Sequence, residues 1–451
     1  MEGVDTGRRP PDYVLLGAVM ALVGIGAVMV FSSSFYSAQT VQQDPFFYLR
    51  REVAWIGLGV ASMLAALAVE PHRWARALPW LFPAGVGLLL IVLRPIPGIV
   101  DPINGATRWI DLGPFLLQPS EFAKPLVVLF AANFLARKSH RLRHLTEVTL
   151  PLTAVVAFVA FLIYKQPNFS TAALIAATAG LMLFVAEVPL THLALLAAGG
   201  LPALYYLAFA HGYRARRLSA AWWDPLRDAQ GASFQVAQAL YGIGSGGWLG
   251  VGLGSGKQKL GWLPYEFTDM IFAVIAEELG FVGALTVLLL FAVVFWRGLR
   301  IAAEAPDRFT QLVAFGLTSM LALQTILNIA VVTASLPPTG IPLPFITYGG
   351  SSMIANMGMV GILLAISRLP PRSAQAGGLA AGAAFTPPPG AGGQPAPPLR
   401  PRDAGTAGSR GPLPPRGYAP PARPESGPSR AGRRSAARRS SRWEPRASRP
   451  E

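Results

Sequence analysis

The chain has 451 residues, 52% of them hydrophobic and only 14% charged, with a mean hydropathy of +0.43. Soluble domains usually carry about a quarter of their residues charged, so this balance excludes an ordinary soluble protein and points to lipid. The chain has no cysteine, which excludes disulfides and thiolate metal sites.

Apolar runs suited to crossing a bilayer, whose roughly 30 Å core takes about 20 helical residues, fall at 13–34, 52–69, 78–94, 121–136, 148–164, 170–186, 190–209, 269–296, 309–333 and 350–367. The expected fold class is an all-α integral membrane protein of about ten transmembrane helices. The first run, from Tyr13 to Phe31, is too long for the apolar stretch of a secretory signal and lacks a clear cleavage site, so it reads as the first span. Residues 1–12 form a short N-terminus and 13–368 the membrane domain, with its largest loop at 211–268.

An even number of spans places both termini on one side. Arg8 and Arg9, Arg73 and Arg76, then Arg137, Lys138, Arg141 and Arg143 all fall on that side. So do Arg297, Arg300 and Arg308, and finally Arg368 and Arg372. The excess of short-loop cations makes this face cytoplasmic, with Arg50 and Arg51 opposing the rule. The segments Arg94–Ser120, His211–Thr268 and Ala334–Gly349 then face outward.

The first outward segment reads NGATRWIDLGPFLLQPSEFAK. Arg108 offers a fork of donors suited to phosphate oxygens. Trp109 offers a flat face for a sugar ring or for the membrane interface. Glu121 and Lys124 open the fourth span. In the second segment, residues 231–241 carry apolar side chains at helical spacing, which suits a helix lying in the interface plane. The glycine-rich run GIGSGGWLGVGLGSGKQ follows; a phosphate-loop reading fails because Val251 stands at the first glycine position and Gln258 at the last. Lys257 and Lys259 in or beside this run could attract an anionic headgroup.

Asp269 opens the eighth span, either as a base able to take a proton from an attacking hydroxyl or as a helix cap. Glu277 and Glu278 follow inside that span, as a buried structural pair or the lining of a polar channel, with Lys124 and the likewise buried Lys165 as candidate partners. The last outward segment, SLPPTGIPLPFITYGGSS, is rich in proline and glycine and reads as a rigid, non-helical outer loop. The tail, 369–451, holds 14 arginines and four acids, contributing +10 of the +15 net charge. Its Pro/Gly/Ala/Arg composition cannot bury enough surface to offset chain entropy, so it is expected to be disordered.

Taken together, NGATRW…QPSEFAK, QPNFSTA, GSGGWLGVGLGSGKQKLGWLP, TDMIFAVIAEELG and LPPTGIPLPFITYGGSS…ISR closely resemble, in collinear order from about Asp12 to Arg368, the SEDS family of shape, elongation, division and sporulation proteins. FtsW and RodA are its best-known members. The resemblance implies a ten-helix peptidoglycan glycosyltransferase that polymerises lipid II at the outer face of the bacterial cytoplasmic membrane. It implies Asp269 as catalytic carboxylate and Arg108, Trp109, Glu121 and Lys124 at the substrate site. It further implies a class B penicillin-binding protein as partner, among other divisome or elongasome membrane proteins. A divalent cation, Mg2+ or Mn2+, is implied by the family alone, and no nucleic-acid partner is expected. The DPFFYLRRE and VMVFSSSF segments resemble the division branch more than the elongation branch. Where many relatives read LPEAHTD this chain reads LPYEFTD, placing Tyr265, Glu266 and Phe267 at those positions; Asn168 replaces the acid of the family's QPDLGTA. A lipid II flippase and a non-catalytic divisome scaffold are the competing readings.

Overall fold

The computed structural model describes residues 9–102, 106–113, 115–209, 225–226, 230–231 and 233–370. The helices in that region are α1 (Tyr13–Val41), α2 (Phe47–Ala68), α3 (Pro71–Val92), α4 (Pro119–Arg137), α5 (Leu150–Lys165) and α6 (Phe169–Val185). They continue as α7 (Leu190–Phe209), α8 (Phe234–Gly246), α9 (Ile271–Glu304), α10 (Arg308–Val332) and α11 (Gly350–Ser367). Each of the ten expected spans coincides with one helix, α8 being the additional one. Seven are long and apolar enough to cross a membrane, and α6 and part of α7 are shorter apolar helices. The chain is a multi-pass membrane protein. The expected disordered tail lies outside the described residues from 371 onward, as does most of 210–232.

Helix starts follow local chemistry. Asp12 accepts a bond from the Leu15 N–H at 3.0 Å, and Asp307 accepts from Phe309 and Thr310. Asn168 does the same for Thr171, which gives this substituted position a structural role. Pro71 and Pro119 occupy the first turn of α3 and α4, where a missing N–H costs nothing.

Lipid tails are as apolar as leucine, so close packing rather than burial from water holds such helices together. Small residues therefore mark the contacts: Gly298 faces Thr318, Gly316 faces Met182, and Gly361 meets the backbone of Met63. One end of the bundle gathers the start of α1 and the ends of α9 and α11. There the Asp12 carboxylate pairs with Arg297 at 2.5 Å, and Ser367 Oγ accepts from the Asp12 N–H.

Two features depart from simple spans. First, α9 is broken at Gly280, whose backbone is left-handed (φ +68°). Gly250 (φ +80°) lies directly against this break: a Cβ there would sit 2.1 Å from the Glu278 carbonyl oxygen. Only glycine combines that dihedral with that approach. The carbonyls of Glu277 and Glu278 accept instead from the N–H groups of Val251 and Gly252, and the N–H groups of Phe281 and Val282 donate to Gly247 and Trp248. The sequence showed no such break.

Second, the segment 335–348 is not an outer loop as expected. Ile341, Leu343, Phe345 and Ile346 are buried, and the Phe345–Ile346 backbone presses on Gly26 near the middle of α1. Irregular backbone is tolerated at membrane depth only where protein covers it. Here Thr347 Oγ1 accepts from the Leu343 N–H at 2.8 Å, and polar side chains of α10 serve the carbonyls.

Candidate active site

Three segments converge on Asp269: the turn 265–270, the re-entrant 335–348 segment and the α3–α4 connection. The helix-cap reading of Asp269 is not what the structure shows. α9 begins two residues later, behind Met270, and no side chain caps it. The half-buried Asp269 carboxylate instead faces Gly340; a Cβ on that glycine would lie 3.5 Å from Oδ2. Burial pushes its pKa up to about 6 from an ordinary 3.8, while the positive charge of Arg108 pulls it down. A carboxyl with this pKa is mostly ionised at neutral pH yet basic enough to accept a proton.

Arg108 is anchored rather than floating. Its Nε donates to the Gln166 carbonyl at 2.9 Å and its Nη2 to the Pro167 carbonyl, which ties it to the α5–α6 turn. Its guanidinium lies 5.9 Å from the Trp109 ring, within cation–π reach. Both side chains are half-buried. They precede a short hairpin, Ile110–Asp111 paired with Leu116–Leu117, that leads into α4. Asn104 and Gly105 of the same motif lie outside the described residues.

Glu121 and Lys124 sit one turn apart in α4, joined at 2.7 Å and almost fully buried at 3% and 1% exposure. They are not presented to a substrate, as the resemblance had implied. Lys124 Nζ also donates to Gln324 at 2.7 Å, and Gln324 donates to the Pro342 carbonyl at 2.9 Å. One helical turn further along α10, Asn328 Nδ2 donates to the carbonyls of both Asp269 and Ile341, each at 2.8 Å. The i, i+4 pair Gln324 and Asn328 thus fastens the Asp269 turn and the re-entrant segment to one helix face. Sequence reasoning missed both residues. The signal available was two amides, four apart and so on one face of a membrane span.

Glu277 and Glu278 have different partners from those expected. Glu278 pairs with Lys259 at 2.6 Å and accepts from Ser32 Oγ and the Gly254 N–H; Glu277 accepts from the Lys257 and Gln258 N–H groups. The two acids therefore clamp the glycine-rich loop, which favours the structural-pair reading over a channel lining. Lys259 is consumed in this buried pair and is not free for a headgroup, whereas the side chain of Lys257 is exposed. Lys165 is exposed, not buried, and lies over the Phe161 ring at 5.4 Å. It is absent from both acids' contacts because it ends α5, beside the Arg108 anchor.

The departures from LPEAHTD are accommodated by packing. Phe267 joins Tyr48 and Tyr348 in an aromatic cluster with centroids 4.8–5.7 Å apart. Glu266 is buried against Ser37 Oγ at 2.8 Å, and burial raises its pKa. α8, expected in the interface plane, packs on the first part of α9: Gly246 meets the Ala276 backbone and Gly242 lies near the Ala273 carbonyl.

One buried acid that the sequence did not single out is Glu52 of α2. It is fully buried, with neither carboxylate oxygen hydrogen-bonded.

Comparison with known proteins places this arrangement. The family model for the cell cycle proteins FtsW, RodA and SpoVE matches residues 13–370. Stage V sporulation protein E of Bacillus subtilis is 40% identical over 366 residues, covering 81% of this chain and 99% of that protein. A probable peptidoglycan glycosyltransferase FtsW of Saccharophagus degradans is 38% identical over 368 residues, covering 81% and 94%. Among solved structures, a chain of a peptidoglycan synthase complex superposes with a TM-score of 0.65 at 28% identity, over 79% of this chain and 98% of that one. RodA of Thermus thermophilus superposes with a TM-score of 0.59 at 27% identity, over 79% and 97%. With a match that spans the whole membrane domain, the chain belongs to the FtsW/RodA/SpoVE family of cell cycle proteins, also known as SEDS proteins.

Proposed function

We propose that this protein is a peptidoglycan glycosyltransferase that polymerises lipid II in cell-wall synthesis, with Asp269 as its base. The observation that carries the residue assignment is the half-buried Asp269 carboxylate beside Gly340, raised to about 6 and close to the Arg108 charge. The sugar 4-hydroxyl of one substrate attacks the anomeric carbon of the other. Its proton passes to Asp269 as the new glycosidic bond forms. The bond from the anomeric carbon to the lipid pyrophosphate breaks, and the electron pair leaves with the phosphate. Displacement in one step inverts the anomeric centre. Arg108, preorganised by two carbonyls, stabilises the developing pyrophosphate charge. Trp109 supplies a flat face for a sugar ring. Glu121 and Lys124 act at a distance, by holding α10 through Gln324.

Among the described residues no group of three or more His, Asp or Glu could hold a metal ion. A divalent cation here would be bound by Asp269 together with the substrate's own phosphates, as Mg2+ commonly is. When bound it would neutralise pyrophosphate charge.

The cytoplasmic face is the one bearing Arg73, Arg137, Arg297 and Arg308, so the Asp269 side of the bundle faces outward. A class B penicillin-binding protein is the partner, as the fold's likeness to a chain of a peptidoglycan synthase complex supports. The VMVFSSSF and DPFFYLRRE segments favour the division branch.

The test is glycan polymerisation from lipid II by the purified protein with its cognate transpeptidase, wild type against Asp269→Asn. Polymer from wild type and none from a folded variant is expected. Equal polymer from both would remove Asp269 as base. No polymer from either, with lipid II crossing vesicle membranes, would favour a flippase.

A further inference from the structure

The glycine-rich loop between α8 and the 257–270 segment carries an apolar surface that the reaction does not use. Trp248 and Leu249 at its tip are 74% and 79% exposed, and Val251 and Leu253 are exposed as well. In a soluble protein such a cluster would mark an association site. Here the position of the loop along the bundle identifies what covers it.

Two helices measure that position independently. On α1, Asp12 is bonded to Arg297 at one end, and Ser32, twenty residues on, is bonded to Glu278, a distance along the helix of about 30 Å. On α9, the unbroken helix from Phe281 to Arg297 rises about 24 Å over sixteen residues, and the break at Gly280 covers the remaining step to Glu278. The Glu278 level is therefore one hydrocarbon thickness, roughly 30 Å, from the Asp12–Arg297 level. The opposite belt is marked by exposed Trp296, over which Arg297 stacks at 5.3 Å.

The loop is fixed at the Glu278 level. The Val282 N–H donates to the Trp248 carbonyl, the Gly252 N–H to the Glu278 carbonyl, and the Gly254 N–H to the Glu278 carboxylate. Trp248 packs edge-on to Phe281 at 5.3 Å. From Phe281 the exposed face runs on through Val282, Leu285 and Leu289, the outward surface of a membrane-spanning helix. The loop tip continues that lipid-facing surface, and the cationic side chain of Lys257 beside it is exposed.

We propose that residues 247–256 are an interfacial membrane anchor, with Trp248 and Leu249 seated at the headgroup–acyl boundary of the outer leaflet. The clamp formed by Glu277, Glu278, Lys259 and Ser32 is what holds this irregular backbone against the bundle. Asp269 is nine residues from Glu278 and so lies within about 15 Å of the same level. The anchor thus fixes the height of the break in α9, and through it that of the Asp269 turn, relative to the outer leaflet where a lipid's pyrophosphate would be presented. This last consequence rests on the glycosyltransferase reading; the anchor itself does not.

The chain has no cysteine, so single-cysteine variants need no altered background. Leu249→Cys and Leu253→Cys, each carrying a nitroxide label, are placed in lipid nanodiscs as full-length protein. Collision with oxygen and with a water-soluble nickel chelate is then read by electron spin resonance. Leu289→Cys on the lipid face of α9 and Ser335→Cys, exposed just after the end of α10, are the deep and aqueous references. Labels at 249 and 253 should show an oxygen-to-nickel ratio several-fold above Ser335→Cys and below Leu289→Cys. Nickel access equal to that of Ser335→Cys at both positions would overturn the proposal, as would dipolar broadening that places a second copy of the chain over the loop. The readout needs no turnover, so a failed anchor and a failed catalytic assignment are separable.

Discussion

Asn328→Ala is expected to weaken the protein and slow it at once. Asn328 is buried, and its amide is shared between the Asp269 and Ile341 carbonyls at 2.8 Å each. A buried acceptor left unpaired costs about 1–3 kcal/mol. The Ile341 bond is fully buried and the Asp269 bond only partly. Taken together they give a loss of roughly 2–4 kcal/mol, the upper value assuming no water replaces the amide. The kinetic effect has a different origin. Without the shared donor, the Asp269 turn is tied to the segment bearing Gly340 only at its far end, by the Tyr348 N–H to Phe267 carbonyl bond and the contact between those two rings. A displacement near 1 Å at a reacting group costs on the order of 100-fold in rate. Thermal unfolding in detergent and polymerisation at saturating lipid II separate the two effects. The expected result is a lower unfolding temperature with kcat reduced about 10- to 100-fold and KM little changed. Asn328→Asp restores the size but, when ionised, offers only acceptors to two carbonyls, so it should rescue neither property. A variant that unfolds like wild type and polymerises at the wild-type rate would refute the clamp.

Polymerisation should rise with pH through about 6 and level off above it, because Asp269 is protonated below that value and a base must be ionised; a flat profile from pH 5 to 8 would remove it as the base. The raised carboxyl also contributes stability that is complete below its ordinary 3.8 and lost as pH rises through about 6, so Asp269→Asn should unfold no earlier than wild type at pH 7. Lys259→Met strands Glu278 as a buried charge and should cost about 3–5 kcal/mol; adding Glu278→Gln should recover much of that, and a double variant no more stable than the single would count against the pair. Glu52→Met replaces a buried polar group that has no hydrogen-bond partner with an apolar side chain of similar size and should stabilise the protein by about 1–3 kcal/mol, read as a higher unfolding temperature.

The membrane class, the ten spans and the candidate base were legible in the sequence, because each rests on local information. A run of apolar residues has to be satisfied within its own helix once it enters lipid, so spans can be counted without knowing their neighbours. Asp269 stands out because a carboxylate at the mouth of an apolar run is chemically conspicuous. Tertiary structure decided what such local signals leave open, namely which polar groups meet. Lys124 and Lys259 look alike as isolated cations near acidic residues, yet one closes a pair within α4 and the other crosses to α9. The break at Gly280 was hidden because the apolar run resumes at once beyond it; it forms where Gly250, lacking a side chain, leaves backbone room for the contact. The 335–348 segment reads as an outer loop because proline and glycine exclude a helix. Its burial follows from donors on α10, eighteen and thirteen residues away in sequence but adjacent in the fold. Pairings of this kind depend on distances across the bundle, which no periodicity along one chain segment encodes.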